Sequence, residues 1–264
     1  MAADYKRIIE GYRIKTEAYL DKILPTPRGR EPKTLHEAMR YSVFSGGKRL
    51  RPIIVLITGR LFGVKEEKLM PAACGIELMH NFSLIHDDLP SMDNDDFRRG
   101  RQTCHKKFGE GAAILAGDAL LTLAFETIAK TGRCSLVRAA AEAVGSEGMA
   151  GGQALDIIFQ GKKIPCRIKE ELDALKTGRL FQLCFSVPFF FANTDKTARK
   201  RIDAVAENFG AAFQIRDDIE DMEGNAAVLK NRMNILYGKM KKDISFFGEK
   251  GAVLSFMVDS LYKT

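Results

Sequence analysis

"RIDAVAENFGAAFQIRDDIEDM", residues 201–222, carries apolar side chains at Ile202, Val205, Ala206, Phe209, Ala212 and Phe213. Steps of three and four positions make the stripe of an amphipathic helix, and the alternation that a half-buried strand needs is missing. The same period runs through "AAILAGDALLTLAFETIAK", residues 112–130, and through nearly every other segment. Breaks fall at "LPTPRGREP", "SGGKRLRP", "DLPSMDND", "KTGRCS", "GKKIPC" and "FANTDK", each built around Gly, Pro, Asn or Asp. Roughly ten helices with short connections are predicted, an all-α bundle forming one domain over residues 1–264. "GMAGGQALD", residues 148–156, keeps glycines inside a helical pattern, where each costs about 1 kcal/mol relative to alanine. Close helix packing is the simplest reason for them, and a ligand pressed against the backbone is the second.

Composition bounds the function. The chain has 264 residues, 45% hydrophobic and 28% charged, which is enough for one sizeable core. Five scattered cysteines form no CxxC pair, so neither a disulfide framework nor a zinc knuckle is expected, and a reducing compartment fits. The first helical stretch contains acids throughout and is not a signal peptide. The greasy run "LCFSVPFFFA", residues 183–192, is too short to span a bilayer and contains Pro188. A cytoplasmic protein without stable membrane insertion is predicted. The net charge of +7 is modest, and the basic residues form no sustained stripe, which disfavours nucleic acid. A small phosphorylated ligand stays open.

"LIHDDLPSMDNDDFRRG", residues 84–100, places Asp87, Asp88, Asp93, Asp95 and Asp96 together, followed by Arg98 and Arg99. Pro90 lacks the N–H that would continue the helix, so Asp87 and Asp88 are expected at a helix C-terminus, where the macrodipole disfavours negative charge. A solvated acidic turn is the plainer alternative. A second cluster, Asp217, Asp218 and Asp221, closes another apolar helix, and Asp217 and Asp221, four apart, share a face. Glu220 points elsewhere. Two carboxylate sets on core helices repel unless cations lie between them. The candidate ligands are all oxygen, so the cation should be hard, with Mg²⁺ the best fit, its remaining positions left to water and phosphate.

Basic groups complement these acids. "SGGKRLRP" offers Gly46 and Gly47 for close backbone approach, with Lys48, Arg49 and Arg51 as phosphate donors before a helix whose first residue is expected at Pro52. A basic loop before a well-capped helix is the bland alternative. Arg98 and Arg99 could simply pair with the aspartates before them. Lys176 and Thr177 in "KTGRLFQ" could be an ordinary exposed turn.

Taken in order, "GGKRLRP", "SLIHDDLPSMDNDDFRRG", "GMAGGQALD", "KTGRL" and "FQIRDDIED" resemble the trans-isoprenyl diphosphate synthases, the polyprenyl synthetase family, over roughly residues 38–223. The chain looks closest to bacterial farnesyl and plastid-like geranylgeranyl diphosphate synthases. The resemblance implies antiparallel helices around a deep central cavity, usually in a homodimer. It implies condensation of isopentenyl diphosphate with an allylic diphosphate, with three Mg²⁺ ions, for which Mn²⁺ can substitute. Asp87, Asp93 and Asp217 look like Mg²⁺ ligands, with Asp88, Asp218 and Asp221 contributing directly or through water. Arg98, Lys176, Thr177 and Gln214 look like contacts to the allylic substrate. Gly47, Lys48, Arg51, His80 and Arg99 look like the isopentenyl diphosphate site, and Gln153 and Asp156 look like supporting groups. His80 lies seven residues before Asp87, on nearly the same helix face.

Product length is read from Phe82, five residues and so about 7.5 Å below Asp87 on a helix. A ring at that depth suits a floor under a short allylic chain, which favours farnesyl diphosphate, with geranylgeranyl diphosphate as runner-up. Small Ser83 lies more nearly under Asp87, and a neighbouring helix such as "LLTLAFETI" could supply the floor instead. After Glu223 the sequence departs from the family, which usually continues with a lysine-bearing loop of the form GKxxGxDxxxxKxTY. Here "GNAAVLKNRMNILYGKM" lacks it, and neither Lys230 nor Lys239 is assigned to its place. A class I terpene cyclase would need no second diphosphate site, so "GGKRLRP" and His80 argue against it. A non-catalytic subunit of a heteromeric synthase would normally have lost an aspartate motif. A pyrophosphohydrolase would use mostly glutamates.

Overall fold

The computed structural model describes residues 2–27, 32–162, 164–220 and 225–262. Its helices are α1 (Ala2–Ile23), α2 (Lys33–Val43), α3 (Leu50–Leu61), α4 (Glu66–Asp87), α5 (Cys104–Phe108), α6 (Glu110–Ala129) and α7 (Cys134–Val144). They continue as α8 (Met149–Phe159), α9 (Cys166–Asp173), α10 (Arg179–Ser186), α11 (Lys196–Glu220), α12 (Ala226–Ser245) and α13 (Ala252–Tyr262). The all-α class read from the periodicity is the one observed. The helix count exceeds the expected ten partly because residues 166–186, which read as one run, are divided by a π-helical turn at Ala174–Gly178.

The chain forms two compact units, one of Met1–Ile8, Ile54–Leu69 and Ser135–Thr264, the other of Ile9–Ile53 and Met70–Cys134. In the second, α2, α5 and α6 pack together. The middle of α4 is largely apolar, and Ala72, Ala73, Cys74, Ile76, Leu78 and Met79 are buried, with Glu77 buried among them. Its last turn meets α6 where Gly117 leaves room for the ring of His86. Helix α6, at 20 residues, is longer than "LCFSVPFFFA", and by length and composition alone it could cross a membrane. Ala113, Ala116, Leu120 and Ala124 are nevertheless buried, while Asp118 and Glu126 are exposed.

A hairpin pairs Phe97–Arg98 (β1) with Arg101–Gln102 (β2). The sequence reading missed it because two-residue strands carry no period. The signal was local: Arg99 and Gly100 both adopt positive φ (53° and 73°), as the tight hairpin turn demands.

In the first unit, Phe181, Phe185 and Phe209 are fully buried. Phe181 and Phe209 meet edge to face at 5.2 Å, and Phe185 and Phe209 at 5.5 Å, fixing α10 on α11. Helix α12 follows α11 after residues 221–225, with Asn225 Oδ1 accepting from the N–H groups of Ala227 and Val228.

Arg49 corrects the sequence reading. It is 2% exposed and turned away from solvent. Its Nη1 donates to Glu77 Oε1 at 3.1 Å and its Nη2 to the Val43 carbonyl at 2.6 Å, with Glu17 Oε1 3.6 Å from Nε. One guanidinium therefore ties α1, α2 and α4 together and is unavailable to phosphate. Pro52 is the third residue of α3, which starts at Leu50; proline is tolerated there because first-turn N–H groups have no helical acceptor. Glu77→Gln should lower the unfolding free energy by about 3 kcal/mol or more in a urea titration, because it leaves a buried guanidinium unpaired. A loss under about 1 kcal/mol would mean the pair is not desolvated.

Candidate active site

Helix α4 ends at Asp87. Past it the chain curls back: the Asp93 N–H donates to the Asp87 carbonyl at 2.8 Å and the Asn94 N–H to the Leu89 carbonyl at 3.1 Å. Asn94 takes the positive φ (55°) that closes the turn. Asp87 and Asp93, six positions apart, are thereby brought together at a helix C-terminus. Asp88, Asp95 and Asp96 meet cations. Asp88 is 4% exposed and accepts from Arg98 Nε at 2.6 Å; Arg98 also reaches Asp95 at 3.3 Å, and Lys106 pairs with Asp96 at 2.7 Å. Burial raises the Asp88 pKa, and Arg98 opposes that rise. His86, next to Asp87 in sequence, turns its ring to α6, with Nε2 3.1 Å from the Ile114 carbonyl oxygen, so imidazole stays out of the acidic turn.

The same unit gathers the basic groups. Gly46 and Gly47 have φ of 103° and 122°, open only to glycine, and a Cβ on Gly47 would lie 2.8 Å from Arg99 Nη1. Arg99 leaves the aspartates and donates instead to the Gly46 carbonyl. Its own positive φ is a strained choice for arginine, held by that bond. Arg98 and Arg99, adjacent on the hairpin, thus serve different partners. Burial, then the charges of Arg51, Arg99, Arg98 and Arg49, hold the His80 imidazole well below its ordinary pKa. Gly47, Arg51, His80 and Arg99 form one constellation, with exposed Lys48 in the same turn. Phe82 stands edge-on to the His86 ring at 5.1 Å, and Ser83 Oγ donates to the His80 carbonyl at 2.9 Å.

The first unit holds the other set. Close helix packing explains the glycines of "GMAGGQALD": a Cβ on Gly152 would lie 2.7 Å from Lys176 Cα. On the opposite side a Cβ on Gly210 would lie 3.0 Å from Gly178 Cα. Helices α8 and α11 therefore touch the backbone of the π turn, and Lys176 and Thr177 are fixed rather than exposed. Lys176 Nζ pairs with Asp156. Thr177 Oγ1 donates to Gln214 Oε1 at 3.1 Å, and Gln214 Nε2 to Asp218 Oδ1 at 3.0 Å. Arg216 Nη2 is 3.3 Å from Asp217 Oδ1. Gln153 is 8% exposed, and neither polar atom of its amide has a hydrogen-bond partner, which suits a site awaiting a polar group. Glu220 is exposed near Arg216, as expected. Asp221 lies outside the described residues.

Lys169 of α9 was missed. Its Nζ is 3.5 Å from Asp218 Oδ1 and 3.2 Å from Asp173 Oδ1, at a cleft of about 740 Å³ also lined by Cys166, Ile215, Leu229 and Arg232. Burial raises the Asp173 pKa, and Lys169 opposes it. No motif marks Lys169; an acid four residues later on its helix was the available hint. Among the described residues, no three His, Cys, Asp or Glu side chains converge to hold a metal. Each set still offers hard carboxylate oxygens, which fit Mg²⁺ better than a soft metal.

A sequence profile of the polyprenyl synthetase family matches residues 32–239. The farnesyl diphosphate synthase of Geobacillus stearothermophilus is 45% identical over 73% of this chain and 68% of that protein. The farnesyl diphosphate synthase of Escherichia coli K12 is 44% identical over 80% of this chain and 73% of that one. The crystal structure of an FPP/GFPP synthase from Zymomonas mobilis, in its apo state, superposes with a TM-score of 0.93 at 35% identity, covering 99% of this chain and 100% of that one.

The depressed His80 pKa carries a pH signature. The unfolded chain takes up a proton below the ordinary imidazole pKa of 6.5 and the folded chain does not, so stability falls as pH drops through that value. His80→Asn should flatten this part of the melting-temperature profile. An unchanged slope below about pH 6.5 would mean that His80 protonates freely when folded.

Proposed function

The chain belongs to the polyprenyl synthetase family, and on that premise we propose that it condenses isopentenyl diphosphate with dimethylallyl or geranyl diphosphate to give mainly farnesyl diphosphate. The observation that carries the reading is the constellation of Gly47, Arg51, His80 and Arg99. A glycine turn with arginines around a neutral imidazole suits a diphosphate, and a terpene cyclase would have no use for that second site. The family works with divalent metal. Mg²⁺ is the fitting ion here, three of them with substrate bound; Asp87 and Asp93, helped by Asp88, would be ligands in one unit and Asp217, helped by Asp218, in the other, while Asp221 lies outside the described residues. Bound divalent cations stabilise the negative charge that develops on a departing diphosphate.

The side chains divide the remaining work. Lys176 and Arg98 add fixed positive charge beside the allylic diphosphate, and Thr177 and Gln214 orient it. Asp156 holds the Lys176 ammonium in place, and the Gln153 amide offers its unmatched donor and acceptor nearby. Lys48, Arg51 and Arg99 bind isopentenyl diphosphate, and Gly47 lets it approach the backbone. His80 stays neutral, so it hydrogen-bonds without adding charge. As the allylic carbon–oxygen bond ionises, the isopentenyl alkene attacks the cation and a proton passes to the departing diphosphate, restoring a double bond. No side-chain nucleophile is needed. The chain acts as one catalytic domain in the cytoplasm, and α6 is a core helix rather than a span. The exposed Ile114 and Leu115 of α6 support a homodimer.

The decisive assay supplies Mg²⁺, labelled isopentenyl diphosphate and each allylic starter, then measures product length. Farnesyl diphosphate is expected, with EDTA abolishing turnover and Asp87→Ala or Asp217→Ala reducing it by orders of magnitude without loss of fold. No incorporation with any starter would end the reading. In the same assay Phe82→Ala should lengthen the product by at least one isoprene unit, whereas an unchanged distribution would make Phe82 core packing and put the floor elsewhere.

A further inference from the structure

Three basic side chains meet aspartates of the proposed metal sets: Arg216 lies 3.3 Å from its sequence neighbour Asp217, while Arg98 and Lys169 reach across from other elements and do so differently. Arg98 grips Asp88 at 2.6 Å, and the carboxylate is 4% exposed. A short charged contact to a carboxylate this well buried is costly to open, because it leaves the acid unpaired. Lys169 is the opposite case. It spans two carboxylates at 3.2 and 3.5 Å, both longer than the Arg98 contact; the two basic side chains are alike in exposure (34% and 32%), but the side chains of Asp173 and Asp218 keep 20% and 13% against 5% for that of Asp88. Asp173 Oδ1 is buried with no well-aligned hydrogen bond, so the nearby ammonium is the charge that offsets it. Asp218 Oδ1 also accepts from Gln214 Nε2 at 3.0 Å, so it keeps a partner when Lys169 moves. Of the charges around them, Glu170 is occupied by Arg232 at 3.1 Å. A compact ammonium on a flexible stem, bridging two acids and able to swing into solvent, occupies the place of a metal ion.

We propose that Lys169 is a resident counter-ion: it bridges Asp173 and Asp218 while no divalent cation is bound, and it must leave Asp218 before one can bind. It thereby sets the metal concentration at which the second carboxylate set fills. The inference rests on Asp218 belonging to the metal set. A divalent ion beside Asp218 repels the ammonium, and the oxygen that faces Lys169 cannot serve both at full strength. Lys169 acts through Asp218, so it is a positioning residue. Gln214 steadies the carboxylate through the exchange.

The test is a thermal-melt titration with Mg²⁺ at a fixed, saturating concentration of inorganic diphosphate, on the wild-type chain, Lys169→Met and Lys169→Arg. Removing the competitor should lower the Mg²⁺ midpoint of the melting-temperature shift by about three- to tenfold in Lys169→Met, the scale of one or two partly exposed ion pairs. Lys169→Arg should restore the wild-type midpoint. Should Lys169→Met not fold, Lys169→Gln reads the same quantity. A midpoint within about twofold of wild type overturns the proposal. So does a midpoint moved to higher Mg²⁺, which would make Lys169 a diphosphate ligand instead. A wild-type chain that shows no Mg²⁺-dependent shift would overturn the metal reading of the aspartates itself, a failure separate from either.

Discussion

The first unit depends on backbone-to-backbone contact at the π turn. Gly152 from one side and Gly210 against Gly178 from the other leave no space for a Cβ. Helices normally keep 8–10 Å apart because side chains stand between them, and only glycine removes that barrier. The effect on the chemistry is direct. Lys176 and Thr177 sit on the turn that is clamped, so their positions are set by packed backbone rather than by long side chains. The widened turn inserts an extra residue into the helical repeat, which lets Thr177 meet Gln214 of α11 while Lys176 meets Asp156 of α8. Glycine's helix penalty of about 1 kcal/mol is offset by this packing.

The second unit solves a different problem, the concentration of charge. Five aspartates and several arginines lie within one turn and one hairpin, yet each type is sorted. Arg98 and Lys106 offset Asp88, Asp95 and Asp96, and Arg49 is spent on Glu77 inside the bundle. Burial, helped by the surrounding arginines, keeps His80 neutral, so it adds no further positive charge among them. The tight hairpin performs the sorting, because the positive φ of Arg99 sends its side chain away from the path of Arg98. A tight turn too short to show in any periodicity therefore decides which arginine faces acid and which faces the glycine turn.

The helices were legible because their apolar stripes are long and regular, and the end of α4 was legible because Pro90 leaves little choice. The first aspartate cluster was visible as charge placed where a helix dipole disfavours it, and the second as carboxylates four apart closing an apolar helix. The reading failed wherever the deciding fact was a side chain's direction. Arg49 stands between Lys48 and Arg51, and nothing in "GKRLRP" tells that it alone turns inward; its positive φ and the buried Glu77 of another helix decide that. Lys169 was invisible for a similar reason, since its meaning comes from Asp218, distant in sequence. The π turn was hidden too, since it looks like uninterrupted helix.

These misses share a cause that bears on the function. On the proposed metal reading, a carboxylate that receives an ion still needs its charge offset in the empty chain, because like charges held on packed helices repel. The structure handles this in two ways. Asp88 is locked to an arginine and buried, so it shapes the turn whether or not an ion is present. Asp218 is attended by an amide and by a lysine that keeps access to water, so its charge is offset without being committed. A tight pair gives rigidity and a loose one gives exchange. The proposed metal site, cycling between filled and empty, would need both: rigidity in the turn that carries its carboxylates and exchange at the oxygens assigned to the ion.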